Sequence, residues 1–440
     1  MAVDPIHQDR LKAVRWPWIV AILLILGVGV ALTLANGWQA HAREWLNLLV
    51  RWLHVIYAIA WIGASFYFIF LENSLERQGV RADLAGNIWT IHGGGIYYLE
   101  KFKTAPPKLP PYLHWFKWDA YLTWVTGFLL LIIVYYADPR TILLAPGSEL
   151  SSFAAVAIAV GSLVAAWFIY VGLSSTPLLY RPDLFLLVGG VIVALAAWLL
   201  GTVFSGRGTF MHIGAMLGTI MAANVFFVII PSQKKLVAAA QKGETLDPSF
   251  VSWVQFRSRH NNYLTLPVLF TMIAHHFPMS YSGGANWLIL IILFVAGVAV
   301  RHFINVNEKE HHKTSVEGGA IPYMLVGAAA LALLAFYLTA PRSTAVAADA
   351  PQVQFAEVKA IIDGHCHMCH AAQPTQPGFA SAPAGVKFDT PEEIVGQAQK
   401  IKQVAVDSSY MPLVVPPVTA LTEAQKATLA AWIAQGAKGP

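Results

Sequence analysis

Cysteine is nearly absent from this chain: there are two in 440 residues, Cys366 and Cys369. That excludes the disulfide framework that staples small secreted domains, and it raises the question of what a lone pair three positions apart is for. Charge is scarce as well. Asp, Glu, Lys and Arg make up 12% of the residues against 56% hydrophobic, with a mean hydropathy of +0.55, which is not the composition of a water-soluble domain. The net charge of +5 is spread over short segments between apolar runs and forms no single patch, so nucleic acid is excluded as a partner. No dinucleotide or phosphate-loop fingerprint occurs, and no repeat of fixed period.

Long apolar runs are what the chain has instead. They recur near 16–35, 48–71, 117–136, 152–173, 183–203, 209–230, 260–277, 286–305 and 320–340. Each has about the length needed to cross roughly 30 Å of hydrocarbon at about 1.5 Å per residue. The seventh run is interrupted by Pro267, and the first lacks a small-residue cleavage site, so it reads as a retained helix rather than a removable leader. With the N-terminus in the cytoplasm, eighteen Lys and Arg fall on that side, while the opposite side holds Arg43, Arg51, Arg140 and Arg207. This bias follows the positive-inside rule and, with nine crossings, puts the C-terminus outside. The predicted fold class is all-α: a polytopic transmembrane helix bundle of about nine spans in residues 1–340, lying in the lipid bilayer.

After the ninth run comes an Ala/Pro-rich linker, 341–351, and residues 352–440 then return to ordinary soluble composition. Helical patterns frame this tail at Val353 to Asp363 and at Thr422 to Gln435, the second opened by an N-cap at Thr422. Between them stands Cys366-His367-Met368-Cys369-His370. In C-x-x-C-H two thiols reach the two vinyl groups of a haem while the following imidazole binds its iron, so the spacing predicts one covalent haem c. Half a zinc site is the alternative, but zinc needs further ligands at tetrahedral spacing. Met411 is the only methionine after the motif and is the candidate for the second axial ligand, with ordinary core packing as its alternative reading. Haem is attached to such motifs outside the cytoplasm, which agrees with the side inferred from loop charge.

Ionisable residues at membrane depth are costly and are therefore functional candidates. The spans sort them into two layers. His54, His212, His275 and His276 fall toward the outer ends, and Gly214 and Gly218 after His212 leave room for close approach. Arg257, Arg259, His260, Asn261 and Asn262, with Arg301, His302 and Asn305, form a polar inner layer suited to a planar anion or equally to lipid phosphate.

At Arg51-Trp-Leu-His54 through Glu72, at Phe210-Met-His212 through Pro231-Ser-Gln-Lys234, at Arg259-His260-Asn-Asn-Tyr-Leu-Thr-Leu-Pro267-Val-Leu-Phe270 and at the terminal C-x-x-C-H, the chain resembles the bacterial membrane-bound urate hydroxylases. In that family a multi-span domain is fused to a cytochrome c tail, and residues 352–440 look like a small class I cytochrome c. The second span also resembles the His-x6-Trp stretch of membrane haem proteins that oxidise protoporphyrinogen, which adds a haem b as a second expected cofactor. The doubled His275-His276 departs from the single histidine expected there, and His276, directly before Phe277-Pro278, is the favoured one.

The resemblance implies a cytochrome c-linked urate hydroxylase, or dehydrogenase, of the bacterial inner membrane, with its tail in the periplasm. Urate would be oxidised to 5-hydroxyisourate with oxygen from water. Electrons would leave singly through haem c to a soluble cytochrome c or a terminal oxidase. The site expectations are His260, Arg259 and Arg301 for catalysis; Cys366 and Cys369 for the haem c thioethers; His370 and Met411 for its iron; and His54, His212, His276 and His302 for haem b. Two rivals stay open: a quinol-to-cytochrome electron-transfer subunit with no small substrate of its own, and a purine transporter with an attached cytochrome sensor.

Overall fold

In the computed structural model the described residues are 20, 24, 27, 38–106, 108–145, 147–244, 248–281, 285–310, 319–339, 351–376, 379, 381–407, 410–413 and 417–440. Most of the expected first span, 16–35, and nearly all of the linker 341–351 lie outside them.

The chain is mostly helical, and seven of its helices among the described residues are long and apolar enough to cross a membrane. In chain order the membrane unit contains α1 (Trp38–Asn73), a hairpin of β1 (Leu84–His92) and β2 (Gly95–Phe102), α2 (Trp118–Tyr136), α3 (Ser152–Ser174), α4 (Pro182–Gly201), α5 (Gly206–Lys242), α6 (Pro248–Ile273), α7 (Asn286–Glu310) and α8 (Ile321–Thr339). All but α6 are among the seven. The expected seventh span does form a helix, α6, but Arg257, Arg259, His260, Asn261 and Asn262 keep it too polar to stand alone in lipid. It is enclosed instead, packing on α5 and α7.

Lipid tails are as apolar as leucine, so helices associate through close packing of small residues rather than through a hydrophobic drive. Ala155, Ala159, Ala197, Ala274 and Ala320 are fully buried. Gly214 shows the tightness best, because a Cβ there would overlap the Thr271 side chain of α6. Pro231 and the π-helical turn Asn224–Ile229 interrupt the regular hydrogen bonding of α5 and re-aim its side chains.

The hairpin corrects the all-α expectation. Aromatic and β-branched residues, Trp89, Ile91, Ile96, Tyr97 and Tyr98, flank Gly93 and Gly94, which hold φ of +57° and +81° in the two-residue turn. It leaves the bundle at the end where Asn73 donates to the Asn305 carbonyl, 3.2 Å. That end is called the hairpin end below.

The tail has a core drawn entirely from residues 353–437, centred on Phe355, Val358, Ile362, Ile394, Leu429 and Trp432. Its framing helices are α9 (Phe355–His365) and α11 (Glu423–Ala434), with α10 (Pro391–Gly396) between them, and α9 packs on α11. The expected cap at Thr422 is present as a full capping box with Gln425. Tyr410 leaves the tail to pack against the core of the membrane unit at Tyr281, with ring centroids 5.6 Å apart. This is the tail end of the bundle.

Gly214→Ala should lower the unfolding midpoint in detergent by the equivalent of about 1–3 kcal/mol, the usual cost of overpacking. Gly218→Ala, with open space around it, should leave the midpoint unchanged or slightly raised.

Candidate functional site

Three groups of side chains carry chemistry: the cysteine loop of the tail, a polar layer at the hairpin end and an aromatic, basic layer at the tail end.

The cysteine loop continues directly from α9. The amides of Cys366 and His367 both bond to the Ile362 carbonyl, at 2.8 and 2.9 Å, and those of Cys369 and His370 return to the Cys366 carbonyl, at 3.2 and 3.0 Å. That one tight turn sets both thiols and the imidazole on a single stretch of backbone, and neither cysteine is in a disulfide. His370 Nδ1 lies 2.9 Å from the Val386 carbonyl. A carbonyl only accepts, so Nδ1 carries the proton and the Nε2 lone pair is available to a metal. Burial lowers the His370 pKa, which keeps the ring neutral as a ligand must be. Burial, with Cys369 beside it, pushes the Cys366 thiol up to about 12. Asp389 braces the loop, accepting from the Ala372 amide at 2.8 Å and meeting His367 Nε2 at 3.1 Å. Met411 packs against the same core, its amide held by the Val404 carbonyl at 2.8 Å.

Among the described residues no three His, Cys, Asp or Glu side chains converge on a point that would hold a bare metal ion. A group fixed by two thioethers and one imidazole needs no such cluster, and the donor set of this loop fits it.

The hairpin-end layer is built around α6. Arg257 is 2% exposed and sits between the rings of Trp253 and Tyr170, at 4.3 and 4.8 Å. It donates to Asn224 at 3.3 Å, Asn224 donates to Asn261 at 2.9 Å, and the Tyr170 hydroxyl meets His260 Nδ1 at 2.9 Å. On the other side of α6, Arg301 is fully buried, lies 3.8 Å over Phe66 and donates to Asn262 at 2.9 Å. Asn305 donates to the same Asn262 oxygen at 3.0 Å. His302 meets the Tyr263 hydroxyl at 2.6 Å.

His260 and Arg301 therefore belong to two adjoining networks rather than one pocket. Arg259 lies exposed on the surface, and the buried guanidinium is that of Arg257, two residues earlier. A shift of two residues turns a side chain to nearly the opposite face of a helix, which composition alone cannot decide. The packing partners Phe66, Tyr170 and Asn224 had no sequence signal, since each is an ordinary residue of an apolar span.

The outer histidines differ in what holds them. His54 Nδ1 meets the Thr123 carbonyl at 3.0 Å and the Thr126 hydroxyl at 3.1 Å, and its ring occupies the notch left by Gly127. His212, fully buried, donates from Nδ1 to the Gly208 carbonyl at 2.8 Å and accepts from the Tyr136 hydroxyl at 3.1 Å. Both rings pack on α2, His54 at Thr123, Thr126 and Gly127 and His212 at Tyr135 and Tyr136, whose ring reaches back to Phe128 at 6.4 Å. His302 is at the other end of the bundle. His276 is exposed, and it is His275 that is half-buried and anchored, through Nδ1, on the Met272 carbonyl at 2.7 Å.

Around His212 the tail-end layer is aromatic and basic. Phe204, Tyr135 and Tyr136 surround its ring at 5.1, 5.9 and 5.8 Å. The Arg207 guanidinium lies 5.9 Å from the Tyr135 ring. Tyr281 donates to the His275 carbonyl at 3.3 Å and receives Tyr410 of the tail.

Arg257→Ala should strand the Asn224 oxygen in the bundle and cost about 1–3 kcal/mol of stability. Arg259→Ala should shift it by less than about 0.5 kcal/mol. Paired thermal melts of the two variants in detergent check both.

Comparison with known proteins finds no match to an individual protein of curated function and none to a solved structure. Residues 40–338 do match the family model described as urate oxidase N-terminal. That stretch covers α1 to α8 almost completely, with both of their polar layers, and on this evidence the chain belongs to the urate oxidase N-terminal family.

Proposed function

We propose that the protein is a membrane-bound oxidoreductase that oxidises urate to 5-hydroxyisourate and releases the electrons through a haem c on its C-terminal tail. The observation that carries this reading is the joining of two units in one chain. The family match spans the membrane unit, and the C-x-x-C-H loop belongs to a tail that packs on that unit through Tyr410.

The reaction balances as urate plus water giving 5-hydroxyisourate, two protons and two electrons. Cys366 and Cys369 would hold the haem as thioethers, and His370 and Met411 would hold its iron. When bound, the haem supplies a one-electron relay whose potential a methionine ligand raises. The protein's own part is to present the His370 lone pair, which the Val386 carbonyl fixes in direction, and to brace the loop through Asp389. The membrane unit must bind the substrate, keep bulk water from the reacting carbon except for the one molecule consumed, and accept the released protons.

The tail belongs in this reading to the small class I cytochromes c. The protein lies in the bacterial cytoplasmic membrane with its N-terminus inside and the tail in the periplasm. A soluble cytochrome or terminal oxidase there takes the electrons one at a time. A haem b in the membrane unit stays part of the proposal, with His54 and His212 as the residues that would hold it, and no step is routed through it.

Anaerobic mixing of urate with the oxidised full-length protein should reduce haem c, with two haems reduced per urate consumed. Reduction by quinol but not by urate would overturn the proposal. Cys366→Ser with Cys369→Ser should abolish covalent haem on a denaturing gel and, with it, urate-dependent reduction of an added soluble cytochrome.

A further inference from the structure

The tail-end layer holds two cations with no carboxylate partner among the described residues. Arg51 on α1 and Arg207 at the start of α5 stand within electrostatic reach of each other, and Tyr135 lies within reach of both. The ion pairs among the described residues involve neither of them. Arg51 donates to the Asn47 side chain at 2.8 Å, while the buried Nε of Arg207 has no hydrogen-bond partner among the described residues. The Arg207 guanidinium lies against Tyr135, within hydrogen-bonding reach of its hydroxyl, and Tyr135 is only 3% exposed. A neutral phenol does not cancel a cation, so two like charges near one bundle end are unfavourable unless an anion joins them.

We propose that Arg51 and Arg207 form the seat of the anionic substrate, a planar heterocyclic anion held at the tail end of the bundle beneath Tyr410. This rests on the reading of urate as the substrate. Two guanidinium forks present flat arrays of N–H donors, which match the carbonyl oxygens and deprotonated ring nitrogen of such an anion better than point charges do. Tyr135 adds a hydroxyl donor. His275, also within electrostatic reach of both arginines, supplies an imidazole at the rim. The Tyr281 and Tyr410 rings close the seat from above.

Location is the second argument. Tyr410 directly precedes Met411, so a substrate bound under it lies beside the segment that carries the proposed iron ligand. The hairpin-end layer is far away by comparison. Asn224 follows His212 by twelve residues along α5, which is about 18 Å of helix. Electron transfer weakens steeply with distance, and a seat at the tail end needs no intermediate centre.

The test uses the full-length protein in detergent, reduced beforehand with dithionite so that urate binds without turnover, and calorimetric titration with urate. Arg51→Gln and Arg207→Gln should each raise the Kd at least tenfold, with the haem spectrum and melting midpoint as in the wild type. Arg207→Lys, which keeps the charge and loses the fork, should fall between. Arg140→Gln, an exposed arginine at the same end, should leave the Kd unchanged. Phosphatidylglycerol vesicles form the second arm, since lipid phosphate shares this chemistry. Loss of vesicle-derived lipid from the Gln variants with an unaltered urate Kd would make the pair a headgroup site and overturn the proposal. So would an unchanged Kd in both variants when urate still reduces the oxidised wild type. A wild type that neither binds urate nor is reduced by it would overturn the functional reading as well.

Discussion

Polar groups in hydrocarbon must be satisfied by the protein itself, since no water is there to do it. This constraint shapes the bundle more than apolar packing does. Helix α6 carries Arg257, His260, Asn261 and Asn262 within six consecutive positions, and each of these side chains finds a partner on a neighbouring helix. Because the partners come from α3, α5 and α7, α6 is locked in the middle of the bundle. Small residues then let the backbones approach closely enough for these bonds to form. The π-helical turn of α5 belongs to the same scheme, as it begins at Asn224, the residue that joins Arg257 to Asn261.

Histidines answer the same constraint in two ways. His54, His212 and His275 give Nδ1–H to a backbone carbonyl, whereas His260 and His302 face a tyrosine hydroxyl. A carbonyl partner fixes the tautomer and a hydroxyl does not, since it can donate or accept. The three anchored rings are thus built to present Nε2 in a set direction, as His370 does in the tail. Only His212 has its Nε2 met by a second side chain, Tyr136, which ties it into the aromatic layer under the tail.

Division of labour follows from the two layers. At the hairpin end, guanidinium, amide and aromatic groups interlock and bury one another almost completely, an arrangement that holds helices in register. At the tail end the arginines are less enclosed and lie near Tyr281, on which Tyr410 of the soluble tail packs. In the proposed function, binding and electron exit share an end, and the hairpin-end network holds the helices that shape it.

Local features were legible from residue order. The cysteine loop, the Thr422 cap and the two framing helices of the tail depend on contacts within a few residues, and so do the lengths of the apolar runs. The hairpin's signal is the Gly93-Gly94 turn between β-branched and aromatic residues, and it is weak because a segment between two long spans reads as a connection. Arg257 and Arg259 both fit the polar layer by type, and only the rotation of α6 against its neighbours separates them. α1 begins at Trp38, ten residues before the apolar run expected at 48, because polar and apolar residues alike continue the helix there.

The order of residues by itself determined that most of the chain is apolar helix, that a soluble unit follows it, and that this unit carries C-x-x-C-H, since hydrophobicity and spacing are written along the chain. Which side chains meet was decided only by tertiary structure. Helix rotation and vertical offset buried Arg257 rather than Arg259 and brought Tyr410 onto Tyr281, and neither quantity is encoded in any single segment.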